Sequence, residues 1–357
     1  MGTHRRLKLK SESSYRKTDR TVGLMESDMR SVVGYRYGPH RDYGYYLITG
    51  RLKEVTSVMD PVTSLGRLDL PLELLDIIVS QYCDIQTLVT SFSLVNRRAR
   101  VIVSSSLVYQ RIRRHAKRAL VAMLRTKAAS FYTLADVYGV LCGDPYCTKC
   151  GDFGPLLWLP ECRRCCMSCL REAPDLMPIS RHAATKALGI PKSTLARLPT
   201  VCTVPGGYGW GQKTFKVRRQ YLSFRHAVEI AGGEAQCMAR VSASPQRQAA
   251  YDAFKCAQTK LEENARYMVA TPLPYFDKRS GKADRGIRCR GCQRVLLEEL
   301  EPVSSCEQQL RIRRHSTVYV AGDFIRHIQR DCPEGKQIWE RHLRLSKGST
   351  ESVSQRQ

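Results

Sequence analysis

The chain has 357 residues, of which 43% are hydrophobic, and it carries a formal net charge of +25. No stretch approaches the run of about 20 apolar residues that crosses a bilayer, and the N-terminus lacks the apolar core of a secretion signal, which argues against a membrane or secreted protein. Its 15 cysteines therefore indicate reduced thiols that bind metal in the cytoplasm, the nucleus or both, and not disulfides.

Residues 1–66 are predicted to form a disordered N-terminal arm. They contain few branched apolar residues and several Ser and Gly, and the Tyr-Gly-rich stretch at 35–46 has no helical period. From residue 67 onwards the apolar residues become dense, which places the start of the folded chain there.

Residues 67–106 carry the pattern of three short helices. Pro71 fits the first turn of a helix, where its missing N–H costs nothing, and Asp84 can cap a second helix. Apolar residues lie on more than one side of the first helix, and about forty residues cannot bury that much surface among themselves. The helices therefore either pack into a larger domain or keep part of their apolar surface for a partner.

The order and spacing of these residues resemble the F-box, a three-helix domain. The match covers Leu70-Pro71-x-Glu73-Leu74-Leu75-x-x-Ile78, Asp84-Ile85-x-x-Leu88 and Leu94-Val95-Asn96-Arg97-Arg98. The resemblance implies a substrate-receptor subunit without an active site, which binds a Skp-family adaptor and through it the cullin and RING subunits of a ubiquitin ligase. It also implies which residues lie at or beneath the adaptor interface, namely Leu70, Pro71, Leu74, Leu75, Ile78 and Leu88.

Residues 107–127 are predicted to form one basic amphipathic helix that connects the F-box-like segment to the rest of the chain. The block 97–127 holds ten Lys or Arg and no Asp or Glu. Aromatic residues do not alternate with basic residues as a nucleic-acid stacking platform requires, so we favour a solvated face or an acidic partner. A zinc-containing nucleic-acid-binding protein that uses this block is the alternative function.

Residues 128–200 form a Cys-rich module with the spacing of a structural zinc site. A first C-x-x-C pair is followed by two overlapping pairs, and the gap of fifteen residues to the later pair lies within the usual spacing of four-Cys zinc sites. Four thiolates leave no open position on the metal, so zinc would be structural there and not catalytic. The favoured ligands are Cys147, Cys150, Cys166 and Cys169; the alternatives are the pair Cys162 and Cys165, at a gap of eleven residues, or thiols without metal.

Residues 201–285 are predicted to be a helical linker region, with a helix at 224–230 and an exposed helix at 245–267. Residues 286–345 are predicted to form a second Cys/His module, in which a strand near 318–320 runs into a helix that carries His327. Two Cys far upstream of an H-x4-C pattern offer a tetrahedral set of zinc ligands, and a core without metal is the alternative. The candidate ligands of this less specific site are Cys289, Cys292, His327 and Cys332.

The resemblance extends to the Cys-rich region of many filamentous-fungal F-box proteins. The matching residues include Cys150-Gly151-Asp152-Phe153-Gly154, Pro205-Gly206-Gly207-Tyr208, and Phe324-x-x-His327 followed by Cys332 and Trp339. The resemblance implies that the region behind the F-box binds a protein target. The fold expected is mainly α with small β elements (α+β), stapled by one or two structural zinc ions, with a disordered tail at 346–357.

Overall fold

The computed structural model describes residues 27–36, 70–208, 213–258, 262–297 and 305–354. The chain divides into a small unit, formed by Met1–Arg36 and Ile287–Gln357, and a large unit, Tyr37–Gly286. Both are mainly helical with small antiparallel sheets, which confirms the predicted fold class. In the described ranges no helix is both long enough and apolar enough to span a membrane.

The described part of the large unit begins with short helical segments. The helix Leu72–Ile77 continues in π-helical turns through Ile78–Tyr82. Asp84 caps the next segment as predicted, because its side chain accepts a hydrogen bond of 2.8 Å from the N–H of Thr87. The remaining segments of this region are Ile85–Thr87, the π-helical turns Leu88–Phe92, and the helices Ser93–Val95 and Arg97–Ser105.

The basic region at 107–127 differs from its prediction in one respect. It forms two helices, Leu107–His115 and Lys117–Arg125, because the backbone leaves the helical conformation at Ala116. The prediction of a single helix is therefore wrong. The predicted division of faces is correct, because Ile112, Ala116, Ala119, Leu120 and Met123 are buried while Arg113, Arg114, Lys117 and Arg118 are exposed.

The rest of the large unit alternates short helices with short strands. One prediction is confirmed here, since Phe224–Ile230 is helical; the chain turns after it at two glycines with positive φ, Gly232 and Gly233. The other helices are Leu134–Cys142, Met167–Glu172, Arg181–Leu188, Lys192–Leu195, Glu234–Ser242, Pro245–Gln258 and Glu262–Met268, with 3-10 turns at Ala128–Phe131 and Pro174–Leu176.

The strands of the large unit are two to four residues long and pair antiparallel. Leu156–Trp158 is the centre of one sheet, with Arg163–Cys165 on one side and Ala270–Pro272 on the other. In a second sheet Gln220–Ser223 lies between Pro178–Ser180 and Val201–Cys202. Two hairpins complete the set, Gly206–Tyr208 with Lys213–Phe215 and Tyr275–Asp277 with Lys282–Asp284.

The small unit joins the two ends of the described chain. Residues 27–32 are helical, and the strand Gly34–Arg36 pairs antiparallel with Ile287–Cys289. This part of the predicted disordered arm is therefore ordered, because Met29 and Val33 are buried in the core of the unit. The other helices are Arg290–Leu297, Ser305–Ser316, Ala321–Arg330 and Pro333–Ser354, the last of which extends into the predicted disordered tail.

Candidate metal centres

The first cysteine cluster of the large unit starts in a tight turn. The N–H of Gly151 donates to the carbonyl of Cys147 at 3.0 Å, and Gly151 has a φ of +77°, a conformation that favours glycine. The turn places the thiols of Cys147 and Cys150 on the same side, as the C-x-x-C spacing predicts. Cys147 is buried, while Cys150 is exposed.

The second half of this cluster sits at the start of a helix. The hairpin of Leu156–Trp158 and Arg163–Cys165 leads into Cys166, which is the N-cap of the helix Met167–Glu172. The N–H of Cys169 donates to the Cys166 sulfur at 3.3 Å, which satisfies one of the free N–H groups of the first helical turn.

The four sulfur atoms converge to a metal-sized group. All of them lie within 4.8 Å of one another, and those of Cys150 and Cys166 are 3.5 Å apart. Zinc binds cysteine sulfur at about 2.3 Å in a tetrahedron, which places two sulfur ligands about 3.8 Å apart. The separation of the thiols thus fits a zinc-sized ion without rearrangement of the backbone.

The pKa values of the four thiols indicate that a bound cation would stabilise this cluster. The pKa of Cys147 is lowered, because the thiols of Cys166 and Cys169 donate hydrogen bonds to its sulfur. The pKa of Cys166 is raised, because its proton is held in the bond to Cys147 and burial disfavours a second charge. The protein alone therefore stabilises one thiolate and resists further ones, whereas a divalent cation at the centre would stabilise all four.

The alternative ligands Cys162 and Cys165 lie outside the converging group. Cys162 is buried, and burial raises the pKa of its thiol to about 12. Cys165 is fully buried at the end of its strand, and burial raises its pKa as well. Because neither sulfur belongs to the converging group, the structure favours the pair Cys166 and Cys169 over them.

Arg164 is a residue of this site that the sequence interpretation missed. Its buried guanidinium donates hydrogen bonds to four backbone carbonyls, those of Val140, Gly154, Leu273 and Pro274, at 2.6–3.2 Å. It therefore joins the strand before Cys166 to three other segments of the large unit. The pattern Cys-Arg-Arg-Cys-Cys gives no local signal for this role, because the carbonyl partners are up to 110 residues away.

The second cluster belongs to the small unit. Its candidate ligands lie in the segment 289–292, at His327 and at Cys332. Cys289 ends the strand Ile287–Cys289, and Cys292 lies in the first turn of the helix Arg290–Leu297. His327 is on the helix Ala321–Arg330, as predicted, and Cys332 precedes the helix Pro333–Ser354. All four side chains are buried, and their ligand atoms lie within 4.8 Å of one another.

The distances in this second group also fit a tetrahedral ion. The Cys332 sulfur lies 3.6 Å from that of Cys289 and 3.8 Å from that of Cys292, and His327 Nε2 lies 3.3 Å from the Cys292 sulfur. Tyr319 stacks on the imidazole of His327 with ring centroids 4.4 Å apart, which restrains its orientation. A buried set of three thiols and one imidazole fills a tetrahedron and leaves no open position for substrate, so it suits a structural ion.

Two glycines next to this cluster were not singled out from the sequence. A Cβ on Gly291 would come within 2.3 Å of the Gly335 nitrogen and 2.8 Å of the Cys332 sulfur. A Cβ on Gly335 would come within 2.6 Å of Ile328 and 3.1 Å of the same sulfur. The sequence could have indicated both glycines by their positions in Cys motifs, C-x-G-C for Gly291 and C-x-x-G for Gly335. A close approach of the backbone at such a position requires the absence of a side chain.

The residues that the resemblance assigned to an adaptor interface divide into two groups. Leu70, Leu74 and Ile78 are 47%, 47% and 39% exposed, and Pro71 is exposed beside them. Leu75 and Leu88 are buried. Four of the six residues are therefore accessible at the surface, and two belong to the core of the large unit.

No protein-family model matches the chain, and no curated protein or solved structure shows significant similarity to it.

Proposed function

We propose that this chain is a zinc-stabilised substrate receptor of a cullin-RING ubiquitin ligase. Residues 67–106 would dock on a Skp-family adaptor, and the region behind them would bind a protein target. Ubiquitin transfer would be catalysed by other subunits of the ligase. The proposal rests on the F-box-like pattern of the sequence together with one feature of the structure, the concentration of exposed apolar side chains in this segment.

That concentration is pronounced. Of the 16 large apolar side chains that are exposed among the described residues, ten lie between residues 70 and 107. The helix Leu72–Ile77 packs against Arg97–Ser105, so that exposed residues of both helices belong to one helical layer. Exposed apolar surface of this extent is typical of a protein-binding site. Its members are Leu70, Leu72, Leu74, Ile77, Ile78, Tyr82, Leu94, Val95, Val101 and Leu107.

A pull-down with a purified Skp-family adaptor tests the docking surface. The double variant Leu74→Asp/Ile78→Asp places two carboxylates on the apolar surface and should abolish capture. Val217→Asp is the matched control, because Val217 is 70% exposed in the same unit but lies far from this segment in the sequence. Undiminished capture of the double variant would exclude this surface as the adaptor interface.

The proposed role of both cysteine clusters is to hold a structural zinc ion. The ligands fit zinc in type and separation, and strands of two to four residues need such a link because they are marginal by themselves. Elemental analysis of protein purified without chelators should give two zinc ions per chain. The variants Cys150→Ala and Cys292→Ala should each leave one ion, while Cys306→Ser, at an exposed thiol outside both groups, should leave two.

The measured metal content discriminates between the alternatives. Absence of zinc from soluble, folded protein would remove the structural-metal proposal, and loss of only one ion in the double variant Cys150→Ala/Cys292→Ala would remove the assignment of ligands.

The rival function, nucleic-acid binding through residues 97–127, predicts no adaptor capture and an affinity for nucleic acid that falls steeply with salt.

A further inference from the structure

The large unit contains a cavity whose lining does not belong to either cysteine cluster. Its volume is about 660 Å³, within the range of small-molecule sites. It lies where the helix Arg181–Leu188 packs against the helix Pro245–Gln258, beside the strand Gln220–Ser223. The apolar side chains in its wall include Ala183, Ala187 and Phe254.

The polar part of the wall carries one sign of charge. Arg181, Lys186 and Arg219 line the cavity together with His182, and none of the described residues in the lining is acidic. Arg181 donates a hydrogen bond of 3.2 Å to the side chain of Gln220, which holds its guanidinium beside the strand. Three cations around one concave surface repel one another, so an anion in the cavity would relieve that repulsion.

We propose that this cavity binds a small organic phosphate. The phosphate would be held by Arg181 and Arg219, whose guanidinium groups can form paired hydrogen bonds to its oxygens, and by the ammonium of Lys186. The apolar part of the ligand would lie against Ala183, Ala187 and Phe254. The helix Arg181–Leu188 begins at the cavity, and its positive end adds to the same potential.

Size and composition favour an organic phosphate over a bare ion. Inorganic phosphate could use the cations but would leave the apolar wall around Ala187 and Phe254 in contact with water. A ligand with both a phosphate and an aromatic or aliphatic body buries that wall as well. The site depends on neither the adaptor surface nor the metal ligands, so this inference does not rest on the function proposed above.

Calorimetric titration of the full-length, metal-loaded protein without adaptor tests the assignment. The probe is phenyl phosphate, compared with inorganic phosphate, phenol and benzoate. We expect saturable binding of one phenyl phosphate per chain. Each comparison compound should bind with an affinity at least about tenfold lower, because inorganic phosphate lacks the ring, phenol lacks the charge and benzoate lacks the third acceptor oxygen. Binding of phenol or benzoate as tight as that of phenyl phosphate would overturn the assignment to phosphate.

Variants separate the role of the cavity from general electrostatics. Lys186→Gln and Arg219→Gln should each weaken phenyl phosphate binding about tenfold. Ala253→Trp, at an exposed position of the lining, should block binding with no change in charge. Lys192→Gln removes an exposed cation outside the lining and should leave affinity unchanged. Unchanged affinity in the first three variants, or no saturable binding to the wild-type protein, would refute the site.

Discussion

Removal of residues 1–36 should destabilise the second cluster of candidate metal ligands, although those residues are distant from it in sequence. Met29 and Val33 are buried in the same core as Cys289, Cys292 and Cys332. Burying two side chains of this size stabilises a fold by about 3–6 kcal/mol, which is a large part of the total stability of a small domain. The strand Gly34–Arg36, which pairs with the strand that ends at Cys289, would be lost with them.

Metal release measures this effect within one molecule. A chromogenic chelator should remove zinc from the small unit of the truncated protein faster than from that of the full chain, while release from the four-Cys cluster of the large unit stays the same. The large unit thus serves as an internal control. If zinc leaves the small unit at the same rate in the truncated and the full-length protein, the proposed stabilisation by the N-terminal segment is refuted.

A pair of point variants tests the same contact without truncation. A Cβ on Gly34 would lie 2.5 Å from the carbonyl oxygen of Arg30 and 2.6 Å from a methyl carbon of Ile287, so Gly34→Ala should cost about 1–3 kcal/mol. A Cβ on Gly322, in a helix of the same unit, would meet nothing within 4 Å. Gly322→Ala should therefore be neutral or slightly stabilising in denaturant unfolding.

Two further predictions concern buried charged or titratable groups. Arg164→Met leaves four carbonyls without their donor and should lower the free energy of unfolding of the large unit by about 3–5 kcal/mol. Arg164→Lys should not restore that stability, because one ammonium cannot reach all four carbonyls. Urea unfolding of both variants measures the two effects. Burial and the charge of Arg288 lower the pKa of His315 to about 4. The neutral ring therefore contributes stability above pH 6.5, the ordinary pKa of His, and this contribution is lost as the pH falls towards 4. Replacement by Asn should flatten the pH profile of unfolding in that window, and an unchanged profile would show that His315 does not control it.

The residues of both clusters could be predicted because their signals are local. A C-x-x-C turn fixes two thiols within four residues, and the gap of fifteen residues selected Cys166 and Cys169 over the overlapping pair Cys162 and Cys165. Helical periodicity located His327 on a helix for the same reason. Patterns of this range depend on neighbouring residues, whose geometry the backbone restricts strongly.

The pairings between distant segments could not be predicted in this way. Leu156–Trp158 pairs with Ala270–Pro272, and Gly34–Arg36 pairs with Ile287–Cys289, across gaps of more than one hundred residues. Strands of three residues have too short a pattern to indicate a partner. The helix break at Ala116 was missed because the apolar positions keep a helical spacing on both sides of it.

The size of the small unit gives a physical reason for the metal proposed there. Roughly 70 of its residues are described, and its strands hold three residues each, so its core and its sheet are both at the lower limit for independent stability. Its four candidate ligands come from a strand, two helices and the residue before a third helix, so one ion would link four elements of the unit. Such a link stabilises most when it closes long loops, and 34 residues separate Cys292 from His327. The same reasoning explains why the N-terminal segment is needed, because it supplies the apolar side chains and the second strand that so small a unit lacks.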